Sequence, residues 1–180
     1  ATMVNSERVR RLVELGVKGV HVSIEGPEEV HNTLCGEGTF SESAAGIEQL
    51  VDAGLAVTLN VMVSGLNASS LRQVIAFGSH AGVRKISFSR LVPSGKGRSL
   101  ISRVLSPEET MELYSSLFSL EIRALDIVFG DPVARCMKMT SDGDAGDTPI
   151  GGCAAGVSAL TILPNGNVLP CRKLPMSLGN

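Results

Sequence analysis

Tryptophan is absent from this 180-residue chain and tyrosine occurs once. Nor is there any block of Lys and Arg: 16 basic residues face 18 acidic ones, for a net charge of −2. A near-neutral chain with few aromatics and no basic stripe carries no nucleic-acid footprint. No apolar run reaches the 18 or so residues that a membrane-spanning helix needs. The N-terminus also lacks the charged and apolar regions of a secretory signal. These absences predict a soluble, cytoplasmic protein whose four cysteines are reduced thiols rather than a disulfide scaffold. An initiator methionine is missing ahead of Ala1-Thr2-Met3, and no helix closes the chain after Gly179-Asn180. The expectation is an internal fragment of a longer protein.

What is present is globular. With 43% hydrophobic residues, the chain can build one core and a small appendage. Ser6 reads as the cap of a helix running through Glu7 to Leu15, stopped by Gly16. A strand from Gly19 to Glu25 follows, then a loop holding Gly26, Pro27, Gly36 and Gly38. A helix near Ser41 to Ala53, a strand over Leu55–Val63, a helix over Ser69–Ala81 and a strand over Arg84–Val92 complete the first hundred residues. Strands alternating with helices are βα units, whose crossovers give a parallel sheet or barrel.

Alternation within the strands says more. Val20, Val22 and Ile24 oppose His21, Ser23 and Glu25. Val57, Leu59, Val61 and Val63 oppose Thr58, Asn60 and Met62. Ile86 and Phe88 oppose Ser87 and Ser89. Helices must cover the apolar face, so the polar residues of all three strands look the other way. A closed (β/α)8 barrel would fill that interior with Val, Ile and Leu. A polar interior predicts a barrel with room for ligands.

The last thirty residues hold Cys153, Gly166 and Cys171 in the spacing Cys-x12-Gly-x4-Cys. The two thiols flank the turn Pro164-Asn165-Gly166-Asn167, which reads as the tip of a β-hairpin. Soft thiolates paired this way suit zinc or an iron–sulfur cluster and supply half of a four-thiolate site. Two small buried hydrophobes, or a cross-hairpin disulfide, are the alternatives.

Several segments together resemble the radical S-adenosylmethionine (SAM) enzymes. Val22-Ser23-Ile24-Glu25-Gly26, His31-Asn32 and Gly36-Glu37-Gly38-Thr39-Phe40 resemble the fourth strand of that barrel and its following loop. Thr58-Leu59-Asn60-Val61 is similar to the fifth strand, and Ile86 to Gly97 to the sixth strand with its Pro-Gly loop. The hairpin resembles the opening of the SPASM or twitch extension. The fold class implied is α/β: the C-terminal part of a partial (β/α)6 radical SAM barrel followed by a small β-hairpin iron–sulfur extension. Residues 1–105 would be the second half of the barrel, 106–150 a connecting helix, short strand and acidic linker, and 151–180 the start of the extension.

The resemblance implies roles as well. Ser23 and Asn60 would contact the methionyl and ribose parts of SAM, and Leu91 and Val92, weaker choices than those two, would pack on the adenine. Cys153 and Cys171 would ligate an auxiliary 4Fe-4S cluster. The implied enzyme uses a 5′-deoxyadenosyl radical on a peptide, protein or cofactor precursor, with an electron donor such as a flavodoxin or ferredoxin. A non-catalytic iron–sulfur or zinc-binding scaffold is the competing reading. The family's Cys-x-x-x-Cys-x-x-Cys loop does not occur in this sequence, so the SAM-cleaving cluster cannot be assembled from these residues, and the fragment alone is expected to be inactive. Asn32 stands where the family usually has Asp. Cys35 reads as a buried thiol, and Cys136 as a structural residue or a further ligand.

Of the remaining polar residues, His21 reads as a barrel-wall group in preference to a proton donor or substrate contact, Glu25 as a contact to substrate or SAM or else a helix-capping or loop-fixing carboxylate, and Arg90 with Lys96 as a solvated or carboxylate-binding pair. Ser106-Pro107-Glu108-Glu109 is a strong helix start. Leu125–Phe129 reads as one short strand. The stretch 141–148 reads as a flexible acidic linker; it lacks the closing Glu of an EF-hand, and calcium is rejected there.

Overall fold

The structure is a computed structural model that describes residues 1–120, 122, 125–141, 155–156, 158–171 and 173–180. Two compact units divide it: residues 1–91 with 103–131, and residues 92–102 with 132–180.

In the first unit, helix α1 (Ser6–Glu14) begins one residue earlier than its sequence suggests. Asn5, not Ser6, is the cap, its side chain accepting the Arg8 N–H at 2.9 Å. Strands β1 (Gly19–Ser23), β2 (Ala56–Val63), β3 (Lys85–Arg90) and β4 (Asp126–Phe129) form one sheet in the order β1-β2-β3-β4. Every pairing is parallel, as the βα reading requires. The short strand foreseen at 125–129 is therefore the fourth member of this sheet.

Helix α2 (Glu28–Cys35) occupies the segment that reads as a loop. Its Gly-Pro entry looks like a turn, yet Pro27 is the residue that precedes the helix, and Glu28 and Glu29 sit favourably in the first turn. Helices α3 (Thr39–Asp52) and α4 (Leu71–His80) follow, the latter led in by a 3-10 turn at Ala68–Ser70. They cover the apolar face of the sheet, with α3 against β2 and α4 against β3. Gly78 permits this approach: a Cβ there would lie 2.9 Å from Ile86 Cδ1 and 3.1 Å from Val83 Cγ2.

Burial follows the alternation. Leu59, Ile86 and Phe88 are fully buried, and Val57 and Val61 are nearly so. Their strand neighbours Thr58, Asn60, Met62, Ser87 and Ser89 are half-exposed.

Helix α5 (Pro107–Phe118) starts with a full capping box: Ser106 accepts the Glu109 N–H, and the Glu109 carboxylate accepts the Ser106 N–H at 2.7 Å. Its Tyr114 is fully buried and donates its hydroxyl to Asp131 Oδ2 at 2.7 Å. Arg90 Nε reaches the same oxygen at 2.5 Å. Tyr114 and Phe118 also pack edge-on against Phe129, with ring centroids 5.5 and 4.8 Å away. Thus α5 is tied to the ends of β3 and β4 by one buried carboxylate and an aromatic cluster.

The second unit contains helix α6 (Pro132–Ser141), which the sequence reading had not placed. It also contains a small antiparallel pair, β5 (Thr161–Ile162) and β6 (Val168–Leu169). The hairpin turn is as expected: Gly166 has φ +84°, and its N–H donates to the Leu163 carbonyl at 2.9 Å. A side chain there would be strained. The acidic stretch 142–148 lies outside the described residues. Among those described, no helix is long and apolar enough to cross a membrane.

The Asp131 network yields a stability prediction. Tyr114→Phe leaves a buried carboxylate short of one donor and is expected to cost about 2 kcal/mol. Ser106→Ala, at an exposed cap, is expected to cost about 1 kcal/mol. Urea unfolding of the two variants checks both the values and their order.

Candidate functional site

The face of the sheet away from α3 and α4 carries the polar residues in register. His21, Thr58, Lys85 and Asp126 form one row, and Ser23, Asn60, Ser87 and Val128 the next toward the C-terminal ends of the strands. Ser23 is exposed and Asn60 and Ser87 are half-exposed, whereas the matching row on the other face, Val22, Leu59 and Ile86, is buried. The structure therefore brings Ser23 and Asn60, far apart in sequence, to adjacent strands on one open face. His21 joins them: its Nδ1 lies 3.4 Å from Asn60 Oδ1, and with the proton on Nδ1 the ring donates to the amide oxygen.

Ser23–Asn60 is the last row of the β1–β2 ladder. The Ile24 N–H still donates to the Asn60 carbonyl at 3.1 Å, but beyond it side chains take over. Glu25 Oε2 accepts the Met62 N–H at 2.8 Å, and the Glu25 N–H donates to His31 Nδ1 on α2 at 3.0 Å. Glu25 is thus a loop-fixing carboxylate, one of the roles its sequence position allows. Asn67, which the sequence reading missed, is fully buried and donates from Nδ2 to the carbonyls of both Glu25 and Met62, at 2.6 and 2.8 Å. Asn residues after a strand are common turn formers, so nothing local marks this one. Its partner Glu25 lies 42 positions away.

Leu91 is buried, and its N–H extends the ladder to the Val63 carbonyl at 2.8 Å. Arg90 stays exposed, but its guanidinium pairs with the chain's own Asp131. Nothing is described of the Lys96 side chain. A groove of about 530 Å³ lined by Ala44, Val51, Phe77 and His80 among others lies between α3 and α4 and contains none of the site residues.

In the second unit only half of the cysteine pair can be placed. Cys153 lies outside the described residues. Cys171 is half-buried, its Sγ accepts the Lys173 N–H at 3.4 Å, and its carbonyl accepts the Leu174 N–H at 3.0 Å. A sulfur already receiving a backbone N–H is placed to carry the negative charge of a metal-bound thiolate, so the donor fits a cluster chemically. Cys35 is exposed at the end of α2 rather than buried, because the helix that the sequence reading missed turns it outward. Cys136 is exposed on α6.

The buried edge gives a pH dependence with two limbs. Burial pushes the Glu25 carboxyl above its ordinary 4.5, against a smaller opposing pull from the Met62 N–H. The native state therefore keeps this proton to higher pH than the unfolded chain does. That contribution to stability is full below 4.5 and is lost as pH rises through the raised native value. Burial lowers His31 from its ordinary 6.5, and its Nδ1 must be unprotonated to accept the Glu25 N–H. That contribution is present above 6.5 and is lost as pH falls through the lowered native value. Glu25→Gln keeps an oxygen for Met62 and removes the charge. Its thermal stability at pH 8 should equal or exceed that of the wild type, with the difference shrinking toward pH 4. A clear loss at pH 8 would mean that the charge itself stabilises the fold.

The profile of the Radical SAM superfamily matches residues 1–78. The chain is 26% identical to an AdoMet-dependent heme synthase of Oleidesulfovibrio alaskensis, covering 99% of this chain and 50% of that protein. It is 24% identical to the sporulation killing factor maturation protein SkfB of Bacillus subtilis, over 97% of this chain and 40% of that one. Among solved structures, anSMEcpe with bound AdoMet superposes with a TM-score of 0.70 at 18% identity, covering 99% of this chain and 51% of that one. This last likeness concerns the fold, the parallel α/β arrangement described above. The chain spans about half the length of the heme synthases it matches. The chain is thus similar to the Radical SAM superfamily over residues 1–78 and, over nearly its whole length, to these relatives.

Proposed function

We propose that the whole protein is a radical SAM enzyme with a SPASM or twitch extension, which modifies a peptide, protein or cofactor precursor in the cytoplasm. The observation that carries this reading is the row Ser23–Asn60, open on the polar face of a parallel sheet at the end of its ladder. Polar groups at the C-terminal ends of parallel strands are where such folds keep their ligands. The relatives bear on the substrate through their names: one set is named for heme synthesis and one for maturation of a sporulation killing factor.

In this reading Ser23 offers a hydroxyl, and Asn60 a carboxamide held by His21, to the methionyl and ribose parts of SAM. Leu91 closes the apolar side of the adenine. Cys153 and Cys171 supply two thiolates to an auxiliary 4Fe-4S cluster. When bound, the SAM-cleaving cluster and SAM would supply radical chemistry at a substrate C–H bond. The chain's own residues orient the cofactor and limit water, and a flavodoxin- or ferredoxin-like donor provides the electron.

The auxiliary-cluster assignment is tested on the full-length protein after anaerobic reconstitution. Cys171→Ala should lower iron by about four atoms per chain and leave the remaining Mössbauer signal unchanged. Stoichiometric zinc in place of that iron would overturn it in favour of a structural zinc site.

A further inference from the structure

We propose that Asn67 is a positioning residue for SAM: its carboxamide ties together the outgoing ends of β1 and β2 and so sets the spacing of Ser23 and Asn60. This rests on the SAM-binding reading of that face.

Parallel strands diverge where their ladder ends, and here the ladder ends at the candidate site. Ser23–Asn60 is the last paired row, and Ile24 N–H to Asn60 O is the last backbone bond between the two strands. Two side chains then hold the strands together. Glu25 reaches across to the Met62 N–H, and Asn67 reaches back from the turn after β2 to the carbonyls of Glu25 and Met62. Asn67 satisfies both donors of its Nδ2 in this way, while Oδ1 accepts the Ser64 N–H at 2.8 Å. That pattern fixes the orientation of the amide, since two carbonyls need a donor and an N–H needs an acceptor. Its own carbonyl accepts the Ser70 hydroxyl at 3.0 Å, which joins the turn to the entry of α4. A fully buried amide with every polar atom used has one permitted position. The strand ends bound to it inherit that constraint, two residues beyond Ser23 and two beyond Asn60.

Aspartate at position 67 would keep Oδ1 and lose both N–H bonds, and alanine would lose all of them. The test uses the full-length, cluster-loaded protein under anaerobic conditions, with the SAM dissociation constant measured by equilibrium dialysis and unfolding followed separately. Asn67→Asp and Asn67→Ala should weaken SAM by tenfold or more at a temperature where each remains folded. Leu50→Ala in the α3 core, which lowers stability without touching the strand ends, should stay within twofold of wild type. SAM affinity unchanged in the Asn67 variants, or weakened equally by Leu50→Ala, would overturn the proposal. If neither Asn67 variant folds, hydrogen exchange of the wild type decides: SAM should slow exchange at the Met62 and Ser64 amides, and no change there would overturn it. Failure of the wild type to bind SAM would instead remove the reading on which the proposal rests.

Discussion

The first unit depends on one constraint: a parallel sheet most of whose apolar side chains fall on the face that its helices cover. Strand alternation puts Val22, Leu59 and Ile86 in one register row and Ser23, Asn60 and Ser87 in the next, on opposite faces. The hydrophobic effect then decides which face α3 and α4 pack on, and burying these side chains outweighs any preference of the polar ones. The open polar face is the consequence. The register alone decides that Ser23 and Asn60 lie on that face.

Polar groups are spent where the ladder runs out. At the ends of β3 and β4 the buried Asp131 receives Arg90 and Tyr114, anchoring α5. At the ends of β1 and β2 the work falls to Glu25, His31 and Asn67. Each of these groups loses hydration on burial and recovers it through bonds to backbone or to a charged partner. A sheet closed by apolar side chains alone would leave the terminal N–H and carbonyl groups unpaired. The two clusters differ in what they border. Asp131 faces helix α5, whereas the Glu25–Asn67 pair adjoins the row of Ser23 and Asn60.

Much of this was legible in the chain because it is local. Period-two alternation gave the faces, Gly16, Gly54 and Gly82 with positive φ gave the helix stops, and Ser106-Pro107-Glu108-Glu109 gave the cap of α5. The resemblance of residues 22–40 to the family's fourth strand and loop lies within the stretch that the superfamily profile matches. What escaped was non-local or disguised. Helix α2 hides behind a Gly-Pro pair that signals a turn, and missing it placed Cys35 inside when it is exposed. Asn67 and Glu25 meet across 42 positions, and Arg90 and Asp131 across 41. No periodicity reports a contact of that kind. Cys153 lies outside the described residues, so the pairing of the hairpin thiols rests on their spacing with Gly166 and on the placement of Cys171 alone.

The central claim is that the polar face of the sheet holds SAM through the Ser23–Asn60 row. Its most direct measurement is the SAM dissociation constant of Asn60→Ala in the full-length, cluster-loaded protein, with iron content determined on the same sample. The account predicts binding weakened about tenfold, the worth of one or two hydrogen bonds, at unchanged iron. Wild-type affinity in that variant would contradict it.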